Sequence, residues 1–357
     1  MEWLFRSEFS SLANIALWSI AAVLATTIVL FVYTMGLRLV TVARAKRRAR
    51  FIHLWRNVFA SAMLSEVDAR EMALPKIHPK DHTDLLEEWN RTRSIVAGSA
   101  VENLILLARR AGIPILAQKL FQKHRVRSKI LAVQTFGHLS DATRRQEILD
   151  LLNHENTALS ITAAEAAVEI DADFAIKIIV PMIEKRRDWP KNRVSNLLRV
   201  AGSERISEPL YRAIRSADDN NKAYLLQFVR LVETQVLDAL VDDLIRNSAH
   251  PGVLNAALKL VSGYNGVPRI AALTQHDVWF VRMQSAKVLG RIGSEEHLAL
   301  LESLLDDSEW WVRYRAAQSI TSLPFMGPNK LRQFRDRQTD RYARDILSQS
   351  FAEVGIE

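Results

Sequence analysis

Between Asp277 and Ser322 the chain repeats one helical pattern at a spacing of 31 residues. Asp277-Val-Trp-Phe-Val-Arg-Met-Gln-Ser-Ala-Lys-Val-Leu289 lies over Ser308-Glu-Trp-Trp-Val-Arg-Tyr-Arg-Ala-Ala-Gln-Ser-Ile320. Val281, Arg282, Ala286 and Leu289 fall on Val312, Arg313, Ala317 and Ile320, and Trp279-Phe280 falls on Trp310-Trp311. Self-similarity at such a period is the mark of stacked supersecondary units, each unable to bury its apolar face alone. A chain written this way is constrained to an array of packed elements.

The elements are helices, because Val281, Ser285 and Leu289, like Val312, Ala316 and Ile320, recur at intervals of four and share one face. Asp277 and Ser308 stand where a short side-chain oxygen would cap the first turn. Gly293 offers a stop, Ser294 a new cap, and Leu298, Leu301 and Leu305 a second amphipathic helix before Asp306-Asp307. Each unit therefore reads as a helix hairpin, with Ala286, Ala316 and Ala317 allowing close approach between helices. A capping residue, two bulky residues, Val-Arg, then Ala and Leu on one face resembles the HEAT repeat, in particular the short type also found in the phycobilisome lyase group. The resemblance implies an all-α, right-handed solenoid of HEAT-like hairpins that serves mainly as a protein-binding surface.

The same register extends backwards. Ala132, Ala163, Leu198, Phe228, Ala257, Ala286 and Ala317 are spaced near the repeat length, and an earlier hairpin spans Asp84–Arg110, so six to eight repeats are expected. Beyond Pro324 and Gly327-Pro328, residues 329–353 carry an apolar face of Phe334, Tyr342, Ile346, Leu347 and Phe351 amid dense charge. This suits the polar cap that a solenoid needs at a free end.

The N-terminus is of another kind. Phe9 to Leu37 is 29 residues without a charge, enough to span a bilayer, whereas a cleaved signal would be shorter and preceded by basic residues. Arg38, Arg44, Lys46, Arg47, Arg48, Arg50 and Arg56 follow it with no acidic residue among them, so the N-terminus is expected outside and the rest in the cytoplasm, at the inner membrane if the cell is bacterial. Arg44, Lys46, Arg47, Arg48 and Arg50 are candidates for lipid headgroups. Phe51, Trp55, Val58, Phe59 and Ala62 then form a helical stripe that would suit either the bilayer surface or the first repeat. Pro75 and Pro79 place the expected boundary at 73–81, giving an anchor at 1–40, a basic helix and linker at 41–80, and repeats at 81–357.

Charge narrows the function. Of the net charge of +8, residues 1–60 carry +6, with eight basic and two acidic side chains; the rest is nearly neutral. That argues against a nucleic-acid binder of the HEAT-like glycosylase type. No cysteine is present, so disulfides, Cys-ligated zinc and a cysteine nucleophile are excluded. His78 and His82 have a metal-ligand spacing but no third ligand at a diagnostic distance, and no phosphate loop, His-Glu-x-x-His or Gly-x-Ser-x-Gly occurs, so no metal, cofactor or catalytic residue is expected. Lys185, Arg186, Arg187, Lys191 and Arg193 around Asp188-Trp189-Pro190 are read as a solvated loop. Trp279, Phe280, Trp310 and Trp311 are the candidate protein-binding residues, one of each pair expected in the core and the other on a ridge. The expected role is a membrane-anchored scaffold whose partners are membrane-associated proteins. A lyase-like enzyme of the phycobilisome group is the alternative.

Overall fold

The computed structural model describes residues 2–64, 73–261, 267–292 and 294–356, without the side chains of 2–17, 20–23, 64 and 267. All regular structure among them is helical. The chain divides into two compact units, Met1–Leu139 and Ser140–Glu357. The break expected at 73–81 falls inside the first unit, for a reason that lies in its first helix.

Helix α1 runs unbroken from Glu2 to Leu64. It is followed by α2 (His82–Ile95), α3 (Ala100–Arg110), α4 (Ile113–Phe121) and α5 (Val126–His138). The second half of α1 packs on α2 and α3. Trp55, Phe59 and Ala62 are buried there, and the Phe59 ring meets Trp89 of α2 edge-on at 6.0 Å. Burial of two large aromatic side chains stabilises this unit by about 2–3 kcal/mol each, so this part of α1 belongs to the core of the first unit. Of the two surfaces open to the Phe51–Ala62 stripe, the structure fills the one on the first helix pair.

In the second unit helices alternate between two layers. One layer holds α6 (Arg145–Asp150), α8 (Ala172–Ile183), α10 (Ser203–Ser216), α12 (Thr234–Asn247), α14 (Val267–Ala272), α16 (Leu298–Ser303) and α18 (Pro328–Asp336). The other holds α7 (Thr157–Ile170), α9 (Lys191–Ala201), α11 (Asp219–Leu225), α13 (Pro251–Leu258), α15 (Trp279–Ile292), α17 (Trp310–Thr321) and α19 (Arg341–Glu353). Neighbours within the second layer pack side by side, α13 on α15, α15 on α17 and α17 on α19. Together with the pairs α2/α3 and α4/α5, eight hairpins precede the terminal pair α18/α19. All seven register positions from Ala132 to Ala317 are buried; six sit on helices, and Phe228 sits in the turn after α11.

The two copies of the repeat pack closely on each other. A methyl group added at Gly290 of α15 would stand 2.4 Å from Ser319 Cβ of α17, so this crossing requires glycine. The N-cap of α17 is Glu309, whose side chain makes no capping bond, and the side-chain bond instead closes the turn before the helix. Asp307 Oδ1 accepts from the Glu309 amide at 2.9 Å, and its counterpart His276 accepts through Nδ1 from the Val278 amide at 3.0 Å. Asp277 and Ser308 do not hold these positions, because the side chain that closes the turn sits two residues before the amide it receives. Ser294 opens the next turn, its amide donating to His297 Nδ1 at 3.2 Å, while Gly293 lies outside the described residues.

Candidate interaction surfaces

The first turn of α17 gathers exposed aromatic area. Val312 takes the core position, which turns the two preceding residues outward. Trp310 is 43% and Trp311 55% exposed, so neither member of this pair is core, contrary to the expectation of one in and one out. Trp310 lies flat on Tyr314, one turn on, at 5.0 Å, and Trp311 stands across it at 4.8 Å. The Tyr314 hydroxyl donates to Glu353 at 2.7 Å and accepts from Gln318 Nε2 at 2.7 Å, tying the cluster to α19. The Glu353 bond pushes the Tyr314 phenol up, and the Tyr314 and Gln318 donors hold the Glu353 carboxyl down. Trp279 and Phe280 pack edge-on at 5.8 Å, with Trp279 exposed and Phe280 half-buried, as a separate pair. Such aromatic surface, held by neighbours and open on one side, can anchor a protein partner.

Behind the aromatic residues the Val-Arg element has a structural task. Arg282 donates to Asp307 of the following hairpin at 2.6 and 2.7 Å, and to the carbonyl oxygens of His276 and Asp277 at 2.9 Å each. Burial would raise the Asp307 carboxyl, but the Arg282 hydrogen bonds and the Glu309 amide hold it below its ordinary value. The residue one repeat beyond Asp307 is Gln338, and Arg313 instead faces the Tyr342 ring at 5.7 Å.

The basic face of α1 is partly used within the first unit. Arg47 pairs with Asp81 at 3.2 Å, Arg48 with Asp84 at 2.8 Å and Glu87 at 2.7 Å, and Arg56 with Glu88 at 2.6 Å. Arg44, Lys46 and Arg50 remain exposed. Two of the five headgroup candidates thus meet an acidic stripe at the start of α2 and the residue before it, which the spacing of Asp81, Asp84, Glu87 and Glu88 could have shown from sequence. Upstream, α1 is long and apolar enough to cross a membrane.

The group around Trp189 is a solvated loop at Lys185, Arg187, Asp188 and Lys191, which are exposed, but its aromatic centre is a packing device. Trp189 is buried and donates to Ser160 Oγ at 3.1 Å. Arg186 binds Asp188 and the carbonyl oxygen of Leu152, while Arg187 lies over the Tyr224 ring at 4.4 Å. A second compact basic group, Lys119, Lys123, His124, Arg125, Arg127 and Lys129, gathers where α4 gives way to α5. The run 123–129 is itself the sequence signal, but it precedes the first register position, Ala132.

One site couples the first unit to pH. His138 is half-buried at the end of α5, its Nδ1 3.2 Å from Asn90 Oδ1. Desolvation, helped by Arg93, pulls its pKa down to about 4. The folded pKa lies below the unfolded value, so stability is present above the unfolded value of about 6.5 and falls as pH drops towards about 4. The expected loss is about 2–3 kcal/mol, read as a falling denaturation midpoint across that window. His138→Gln should flatten the slope, and an unchanged slope would remove His138 as its source.

Residues 237–321 match the sequence model of HEAT repeats. No curated protein matches the chain. Among solved structures the chain is similar to Kap121p, at 13% identity and a TM-score of 0.52, covering 84% of this chain and 37% of that one. It thus spans little more than a third of Kap121p. It is also similar to human deoxyhypusine hydroxylase in complex with glycerol, at 14% identity, TM-score 0.27, covering 85% and 98% of the two chains. An engineered protein gives 16% identity, TM-score 0.33, and 83% and 88% coverage. At these identities the likeness to Kap121p speaks for the fold alone, and with the sequence match it makes this an all-α solenoid carrying HEAT repeats.

Proposed function

We propose that this HEAT-repeat chain is a membrane-anchored scaffold that presents its repeats on the cytosolic side to membrane-associated proteins, such as the subunits of a membrane enzyme complex. The observation that carries the reading is the continuity of α1: one helix holds both an uncharged stretch of bilayer length and, at Trp55 and Phe59, part of the core of the first helix pairs. Seven basic residues from Arg38 to Arg56 set the orientation, and exposed Arg44, Lys46 and Arg50 lie along anionic headgroups. Trp310 and Trp311, with Trp279 and Phe280, are the partner anchors, and the protein acts by binding rather than by catalysis.

The test is made in native membranes with the full chain. A reporter active only outside the cytosol, fused after Glu357, should be silent; activity there would reverse the topology. Proximity labelling from the same end should mark a reproducible set of neighbours. Trp311→Ala should weaken their capture by about 2 kcal/mol, or some thirtyfold, with an unchanged thermal melt. Labelling indifferent to Trp310 and Trp311 would move the surface elsewhere on the array. Substrate turnover by the purified chain, undiminished in detergent, would replace the scaffold by an enzyme.

A further inference from the structure

The basic group between α4 and α5 occupies one edge of the first unit. Lys119 lies near the end of α4, Lys123, His124 and Arg125 in the connection, and Arg127 and Lys129 in the first turn of α5. Lys119, Lys123, His124, Arg125 and Arg127 are exposed. From Lys123 to Arg127 they line, with Thr83 and Glu87 of α2, an open cavity of about 800 Å³. The carboxylate that meets the group is Glu87, shared between Arg127 at 3.1 Å and Arg48 at 2.7 Å. The imidazole of His82 next to it is pulled down by burial and then by Lys119 and Lys123, as expected where positive potential accumulates.

The level of this edge along α1 matters. Successive pairs from Arg47–Asp81 through Arg48–Asp84 to Arg56–Glu88 and Phe59–Trp89 show α1 and α2 running in the same direction. The start of α2, where Thr83 and Glu87 border the cavity, is therefore the end of the unit nearest the apolar stretch. Eleven residue steps separate Leu37 from Arg48, about 16 Å of helix. Headgroups extend about 5–8 Å beyond the hydrocarbon edge, and a surface charge is felt about 8 Å further at physiological salt. Long cationic side chains at this level meet that field.

We propose that this edge is a second membrane contact, in which Lys119, Lys123, His124 and Arg125 bind the phosphates of anionic lipid headgroups and so seat the first unit against the bilayer. The inference rests on the reading of α1 as a membrane span. A polynucleotide is the other polyanion of suitable charge, but the group is confined to one short edge of a nearly neutral repeat region, whereas a phosphate backbone is bound along a stripe.

The chain has no cysteine, so Gln122→Cys gives a single attachment point for a fluorophore beside the cluster. The full protein would be placed in nanodiscs of phosphatidylcholine alone or with phosphatidylglycerol, each containing a lipid with a spin-labelled headgroup. Quenching should be at least about threefold stronger with the anionic lipid, and should fall to the neutral-lipid level in high salt and in Lys123→Glu/Arg125→Glu. Both substituted residues are exposed, so the thermal melt should not move. Quenching that is equal in the two lipids, or indifferent to charge reversal, would overturn the proposal. Alkaline carbonate separates the failures: a chain released from membranes has no span and both readings fall, whereas a chain that stays but shows no anionic-lipid effect loses only this contact. Salt-sensitive binding of a DNA oligonucleotide by the detergent-solubilised chain, abolished in the same double variant, would reassign the edge to a polynucleotide.

Discussion

Arg282→Met should destabilise the C-terminal repeats by about 3–5 kcal/mol, the cost of leaving a buried carboxylate without its counterion. The Asp307 side chain is 7% exposed, and Arg282 supplies both of its charged hydrogen bonds while also satisfying the carbonyl oxygens of His276 and Asp277. Methionine keeps much of the apolar stem and removes all of these donors. Two further measurements identify the cause. Adding Asp307→Leu to Arg282→Met should recover most of the loss, because a buried pair replaced as a whole by apolar residues is often near neutral. The single variant should also gain stability relative to the parent as pH falls through the carboxylate range, since burial then raises the Asp307 pKa unopposed. A single variant that melts with the parent would mean that water, not Arg282, satisfies Asp307.

Ala317→Asp should cost several kcal/mol and unfold the array locally from its C-terminal end. Ala317 is fully buried on α17, which is packed between α15 and α19. An aspartate there inserts a charge with no partner and adds volume to a filled interface, two penalties that act together. Because repeat stability is a sum of units and nearest-neighbour contacts, the loss should be confined to the neighbouring repeats. Hydrogen exchange should show α15, α17 and α19 losing protection while α2 to α5 keep theirs. Parental protection in α17 would mean that residue 317 faces solvent and that the register is wrong.

Residues whose environment recurs were legible in the sequence. Val281 and Val312, Ala286 and Ala317, and Leu289 and Ile320 fill the same places in successive repeats, and all are buried. Residues whose partner lies in another hairpin were not. Val-Arg is visible twice, but Arg282 finds its carboxylate 25 residues ahead at Asp307, at a position where the next copy has Gln338. The stripe Phe51–Ala62 was readable as a face, while what covers it, Trp89 included, depends on a helix beyond the proline-rich break. The aromatic pair at Trp310-Trp311 misled because bulk alone suggests a core role, whereas the phase of the helix gives the core to Val312.

The unbroken course of α1 carries a mechanical meaning. A tether of flexible residues would let a domain tumble and sample a broad shell above the membrane, but a helix that enters the first unit's core without a joint fixes that unit's height and tilt together. Under the proposed insertion, the first unit is left with lateral diffusion and rotation about the bilayer normal. Its encounters then resemble the meshing of a part on a fixed shaft, in which a partner at the wrong height is missed however strongly it would bind in solution. A few residues added to or removed from α1 between Leu37 and Arg47 would turn that face by about 100° per residue and shift its height by about 1.5 Å per residue, altering partner choice without touching any contact surface.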